Sequence, residues 1–518
     1  MRRGKTSAVA LTQEERGLIF GAAVAQVAFM VMPASMNYLV PAMAADFDAS
    51  SAQTEVLRQV SSVASLAVVF LAGVLGERLG ERRVMLASSA IFMLGSAVVA
   101  ISPGIYAATL GVFLASLGKS VISVVIIALI AVRIRDHDAR ATGFATLSSV
   151  VPLAYLVMPL VAGALASGPG WRWIAVIWLL CGAIAAVAII RLLPGGGATV
   201  TSGEMWTPAL AGLALASMIQ FIGNHRDYGW TTATITYLIL AAGGVIGTAV
   251  AYRLVSEPTL SLAPLKAAGI PLLLITLLIF SFTNLFYYTT VLYQVSYGYS
   301  SFEAALLMVP TQVCSTLGAI IAGRMLQSRG ATSTGGLMMG LLVLILAGAA
   351  VVPPGAPMIV PMVAVSMYAL CSVAAFVAFT TAIMNSAPQG QEGQMSSYRT
   401  AAGQFGTALG VSVMTAAVTF AATQSWSQLA TEAGVDSTTA SQAAFALLDG
   451  VSPPDVSSTY SIPIAETLSI GAFDAYAYAQ GYRAQAAVSA VVILVALLLF
   501  SVTQRRLARR KPAAAEAG

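Results

Sequence analysis

The chain has 518 residues, of which 58% are hydrophobic and only 9% charged, with a mean hydropathy of +0.84. Soluble domains carry about a quarter charged residues, so an ordinary soluble protein is excluded and the composition reads as an all-α polytopic membrane protein. The net charge of +5 would suit a nucleic-acid partner, but the placement of the basic residues, given below, excludes one.

The first apolar run, 17–43, exceeds the core of a cleaved signal peptide, which is about 7–15 residues. It is expected to stay as a span, although Ala42-Met-Ala44 has the small-residue form of a cleavage site. A crossing helix needs ~20 apolar residues. On that measure the next runs are 55–76, 83–101, 105–132, 141–166 and 172–193, completing a first set of six. A pair follows at 206–224 and 231–253, and a second six at 270–294, 302–326, 333–352, 357–386, 396–424 and 481–504. Helix is the expectation because an open strand cannot satisfy its backbone in lipid. The predicted fold is therefore 14 transmembrane helices, two six-helix bundles plus an inserted helix pair. Its divisions are 1–193, 194–269 with cytoplasmic linkers, and 270–518 with a long extracytoplasmic loop at 425–480.

The Lys and Arg residues follow this count. With the N-terminus inside, the cytoplasmic segments collect Arg2, Arg3, Lys5 and Arg16, then Arg78, Arg82 and Arg83, then Arg133, Arg135 and Arg140. Arg191, Arg253, Lys266, Arg324, Arg329 and Arg399 follow, and the tail adds Arg505, Arg506, Arg509, Arg510 and Lys511. These are 21 of the 26, leaving Arg58, Lys119, Arg172, Arg226 and Arg483. Such asymmetry is the positive-inside rule, and it makes the basic residues anchors rather than a nucleic-acid footprint. Both termini are expected in the cytoplasm of a bacterium, the chain lying in its plasma (inner) membrane. The 425–480 loop holds Glu432, Asp436, Asp449, Asp455, Glu466 and Asp474 with no Lys or Arg. A short helix is expected at 437–448; the loop reads either as a tolerated insertion or as a cap over the substrate path.

Cys181, Cys314 and Cys371 lie inside apolar runs and read as packing residues, and His137 and His225 are too few for a histidine metal site. No metal or cofactor is expected. Pro194-Gly-Gly-Gly197 lacks the Lys-Ser/Thr ending and the preceding strand of a phosphate loop, so an ATP-driven pump is not expected; with no catalytic constellation in the sequence, neither is an enzyme.

The loop between the second and third spans reads Gly73-Val-Leu-Gly-Glu-Arg-Leu-Gly-Glu-Arg-Arg83. It resembles the cytoplasmic signature of the major facilitator superfamily of transporters: Gly73, Glu77, Arg78, Gly80, Arg82 and Arg83 match. Glu77 replaces the usual Asp, and Glu81 stands at a usually basic position. Gly323-Arg-Met-Leu-Gln-Ser-Arg-Gly330 occupies the equivalent place in the second six. Trp171-Arg-Trp173, Gly298 to Pro310 and Gly393 to Gly406 are similar to stretches of the fourteen-span drug–proton antiporter branch. The resemblance implies a secondary transporter whose signature loop latches the cytoplasmic ends of the two bundles. It implies proton-coupled efflux of hydrophobic or amphipathic compounds by alternating access. Departures bear on the substrate: Met32 stands where that branch has an Asp, and Val112, Ala115 and Ser116 replace its Arg and Gln-Gly. Of its Gly-Pro-x-x-Gly-Gly pattern, Pro159 and Gly163 survive as a helix-packing motif. Met32, together with Lys119, favours an exporter of a specific anionic metabolite or lipid as the alternative, and the loss of several usual polar residues leaves a non-transporting sensor or scaffold behind it.

Among single residues Lys119 stands out, because a charge at mid-bilayer costs roughly 2.5–3.5 kcal/mol on insertion scales. It is expected to face a cavity and either exchange a proton or attract an anionic group, the plainer reading being a Lys bonded to helix carbonyls. Arg58 pairs on paper with Glu55 at i, i+3, and Glu303 begins span ten near the cavity mouth. Asn37, Tyr155, Asn284, Tyr287 and Gln404 are further polar candidates for substrate or proton handling, with interhelical bonding as the plainer reading of each. Tyr287 and Tyr288 cannot share a face, since neighbours on a helix point about 100° apart. The expected partners are a small-molecule substrate, protons and the lipid bilayer, with the chain a monomer.

Overall fold

The computed structural model describes residues 11–49, 51–167, 170–195, 204–255, 258–266, 269–432, 434–448 and 470–515, and every regular element among them is a helix. The first bundle contains α1 (Gln13–Asp46), α2 (Ser51–Ala67), α3 (Val69–Leu79), α4 (Glu81–Ala100), α5 (Ile105–Arg133), α6 (His137–Ser167) and α7 (Arg172–Leu192). Thr12 and Glu15 start α1 with a reciprocal capping box, which satisfies two of the orphan donors of a helix N-terminus. The expected second span is α2 and α3 together, bent by 44° at their junction.

The inserted pair is α8 (Trp206–Tyr228) and α9 (Thr232–Leu254). They pack on each other, and α8 also lies against α2, α3 and α16. Most of α9 is exposed, as expected of a peripheral helix facing lipid. After the short α10 (Ala263–Lys266) come α11 (Ile270–Phe280), α12 (Leu285–Val295), α13 (Ser301–Leu307), α14 (Val309–Val351), α15 (Ile359–Asn385), α16 (Glu392–Glu432), α17 (Ser437–Leu448) and α18 (Ile470–Ala515). The sequence predicts one continuous helix over 270–294; instead α11 and α12 are separated by an unwound stretch ending at Asn284. There Tyr368 donates to the Thr283 carbonyl at 2.9 Å, satisfying backbone that the break exposes.

Twelve described helices are long and apolar enough to cross a membrane, or up to thirteen with the bent α2–α3 pair counted as one span. One of the twelve is the fifty-residue piece Phe302–Val351, ~75 Å if straight and more than twice a bilayer core. It is not regular throughout: Gly330, at φ 76° and ψ 170°, breaks it, in a backbone region essentially reserved for glycine.

The helix ends gather on two faces. On one, Glu81 approaches Arg133 at 3.9 Å, Arg82 bonds the Ile190 carbonyl at 2.6 Å, and Arg140 bonds Asn385 at 3.0 Å; this is called the basic face. On the opposite face Arg172 binds Asp46 at 2.8 Å and the Ser102 carbonyl at 3.2 Å, while Trp171 donates to Asp46 at 3.2 Å. These bonds hold the Asp46 carboxyl below its ordinary range and account structurally for the Trp-Arg pair that opens α7.

Much of the acidic 425–480 stretch is helical. α16 continues to Glu432, the helix expected at 437–448 forms as α17, and α18 starts at Ile470. Ala440 and Ala443 of α17 pack with Trp426, Ala430, Val435 and Ala477 in a small apolar cluster of their own. Residues 449–469, with Asp449, Asp455 and Glu466, lie outside the described residues.

Candidate transport cavity and gate

A cavity of about 260 Å³ lies where the bundles meet, lined by Gln26 and Met30 of α1, Lys119, Ser120 and Ser123 of α5, and Phe144 and Leu147 of α6. The second bundle supplies Phe376 and Thr380 of α15 and Arg399, Thr400 and Gln404 of α16. Apolar walls with a few polar groups are the ordinary make-up of a ligand site. The Lys119 ammonium makes no hydrogen bond or ion pair to any described residue, and no Asp or Glu lines the cavity. The reading of Lys119 as a residue bonded to helix carbonyls therefore does not hold among the described residues.

Beside Lys119, two rungs join α5 to α2: Ser120 donates to Ser65 at 2.6 Å and Ser116 to Ser61 at 2.9 Å. Met32, at the position of the antiporter branch's Asp, is fully buried, and the Ser116 hydroxyl reaches its sulfur at 4.0 Å.

Arg399 corrects the sequence reading. Expected among the cytoplasmic anchors, it is only 6% exposed and lines the cavity. Its Nε donates to the Thr380 hydroxyl at 3.0 Å, and its guanidinium lies 4.5 Å above the Phe376 ring. The cavity thus receives one cation from each bundle.

Of the other candidates, only Gln404 joins Lys119 in this cavity. Glu303 is exposed and caps α13, its carboxylate accepting from the Ser300 N–H and hydroxyl, each at 2.8 Å. Arg58 is exposed on α2, and the Glu55 and Asn37 side chains lie outside the described residues. Asn284 sits at the α11–α12 break. Tyr287 is 58% exposed and Tyr288 only 3%, so the two neighbours do point apart; Tyr155 is 38% exposed on α6. A methyl group at Gly163 would meet no atom within 4 Å, so the close packing expected of the Pro159–Gly163 motif is not seen at that glycine. The tight crossing on α6 is elsewhere, at Ala145 against Gly323 of α14.

Two residues of the signature loop, Gly73 and Glu77, meet the start of α16. Glu77 accepts from the Gln394 backbone N–H at 3.0 Å and from its side-chain amide at 3.2 Å. A methyl group at Gly73 would come within 2.3 Å of the Gly393 carbonyl oxygen, so only glycine admits α16 here. Ser396 adds a bond to the Val124 carbonyl of α5 at 2.8 Å. The Gln394 side-chain oxygen accepts from the Ser261 N–H at 2.8 Å, and Tyr398 donates to the Ser261 carbonyl at 2.8 Å. The segment after the inserted pair is therefore tied into the same junction. Arg82 bonds within its own bundle, and Arg83 is exposed. Glu81, unexpected at a basic position, is buried beside Arg133. Gly80, at φ 85°, turns the chain from α3 into α4.

Helices of both bundles meet on one face and line a cavity between them, an arrangement that suits a membrane transporter. A profile of the Major Facilitator Superfamily matches residues 18–411. The chain belongs to that superfamily. A curated relative is the probable actinorhodin transporter of Streptomyces coelicolor (strain ATCC BAA-471 / A3(2) / M145), 30% identical over 224 residues. That match takes in 40% of this chain and 38% of the relative, so the chain spans under half the length of the protein it matches. Among solved structures, the human organic anion transporter MFSD10 (TETRAN) aligns with a TM-score of 0.60 at 15% identity, over 95% of this chain and 100% of that one. A bacterial homologue of the iron transporter ferroportin, in its outward-facing state, also gives 0.60 at 11% identity, over 96% and 100%. At such identities these two speak for the fold alone.

Proposed function

We propose that this transporter exports hydrophobic or amphipathic compounds carrying a negatively charged group, by proton-coupled alternating access. The observation that carries the reading is the Lys119 ammonium facing an apolar-walled cavity with no carboxylate in its lining. A cation left without a partner in a low-dielectric site is costly, and an acidic substrate group supplies the missing charge. Lys119 is also the group in this cavity suited to gain and lose a proton. The relative named as a probable actinorhodin transporter supports the transport reading.

In the same reading the chain crosses the bacterial plasma membrane fourteen times as a monomer. The fifty-residue helix folds back at Gly330, and both termini and the basic face are cytoplasmic. The structure then represents a state closed to the cytoplasm by the Glu77–Gln394 latch, and transport requires that latch to open.

The test is flux in proteoliposomes under an imposed pH gradient, with acidic, neutral and cationic lipophiles supplied in turn. Acidic compounds are expected to move protons, and Lys119→Gln to abolish that movement. Proton flux driven by cations alone, unaffected by the substitution, overturns the reading. The absence of any flux leaves the sensor or scaffold.

A further inference from the structure

We infer that Arg399 completes the substrate site as its second anion-binding group, so that the preferred ligands are amphipathic dianions gripped by both bundles at once. This rests on the acid-binding reading of Lys119 and narrows it.

Lys119 is carried by α5 of the first bundle and Arg399 by α16 of the second, and both line one cavity without a carboxylate. Arg399 is positioned rather than loose: Thr380 holds its Nε, and the Phe376 ring supports the guanidinium. Its two terminal nitrogens make no hydrogen bond to any described residue. Arginine presents such nitrogens as a planar fork matched to a carboxylate, sulfonate or phosphate. With the guanidinium already fixed, less side-chain entropy is lost when a ligand binds. The ring beneath it and the neighbouring Phe144 offer apolar surface to the body of the same ligand.

Two like charges in one cavity repel, and this repulsion acts across the bundle interface rather than within a bundle. A monoanion neutralises one of the two charges. A dianion neutralises both, and in doing so ties α5 to α16. The ligand then does more than occupy the site: it removes the charge that opposes closure around it.

The experiment measures binding to the full chain in detergent by titration calorimetry, using 2-naphthoate as monoanion, naphthalene-2,6-dicarboxylate as dianion and 2-naphthamide as neutral control. A second charge-assisted hydrogen-bonding partner is worth about tenfold in affinity, so the dicarboxylate should bind about that much more tightly than the naphthoate. Arg399→Gln should reduce the ratio to near one, whatever it does to naphthoate binding itself, and Arg399→Lys should recover part of it. Should the Gln variant not fold, Thr380→Val and Phe376→Leu, which release the guanidinium from its supports, should each lower the ratio. A ratio that none of these substitutions changes overturns the inference while leaving Lys119 as the acid site. A wild-type protein that binds the amide as tightly as either acid overturns the reading of Lys119 itself, and this one with it.

Discussion

Lys119 and Arg399 show what a linear sequence reveals about a buried charge. Lys119 is visible because apolar residues surround it on both sides, so no solvated position is available within a turn of the helix. Arg399 stands a few residues from polar Glu392 and Gln394, close enough to an expected span boundary to be taken for an anchor. What moves it indoors is that α16 already begins at Glu392, which places Arg399 about two turns inside the helix. Glu303 is the converse case. Ser300 followed three residues later by Glu is a capping-box signature, and that local bond, not the cavity, takes its carboxylate. At this scale the unpartnered Lys119 carries a prediction. Lys119→Met removes a desolvated charge, so the variant should unfold in detergent at a higher temperature than the wild type while losing transport of acids. A lower midpoint would mean that the ammonium has a partner essential to the fold.

At the scale of elements, hydropathy located the helices because each crossing must bury its own backbone. It could not locate the breaks. The α2–α3 bend and the α11–α12 interruption occur inside apolar runs, where periodicity gives no sign, and the Thr283 backbone is satisfied by a tyrosine 85 residues away. The signature loop was legible for the opposite reason: a glycine at the contact and an acid four residues on form a spacing that anchoring does not require. Gly73→Ala therefore tests the gate. The added methyl overlaps the Gly393 carbonyl, so the variant should favour the state open on the basic face. A single cysteine at Val132, which lines the same gap as Gly73, Glu77 and Gly393, should then react faster with a water-soluble thiol reagent than in the wild-type background. Equal rates would show that α16 yields without opening.

For the whole molecule, the two-bundle arrangement is read from the loop repeat at Gly323–Gly330, and the all-helical fold itself is what the structure shows. The position of the inserted pair was not readable. Composition identifies α8 and α9 as apolar helices but does not say where on the bundles they dock, and that is set by non-local contacts of α8 with α2, α3 and α16. The number of crossings belongs to this scale as well. If the helix broken at Gly330 folds back, Ser328 lies on the basic face and Gly355 on the other. Cysteines placed singly at these two positions should be labelled from opposite sides of a sealed membrane vesicle. Labelling of both from one side would contradict the fourteen-span topology.

Gln394 makes three of the bonds described above, two to Glu77 and one to Ser261. The polypeptide leaving the inserted pair is thus fastened to the very residue that joins the bundles. Linkage runs in both directions: whatever opening the gate does to the posture of α8 and α9, a force on those helices returns to the gate with the same free energy. A change in bilayer thickness or lipid packing that shifts the exposed α9 would therefore also shift the Glu77–Gln394 contact, without any ligand entering the cavity.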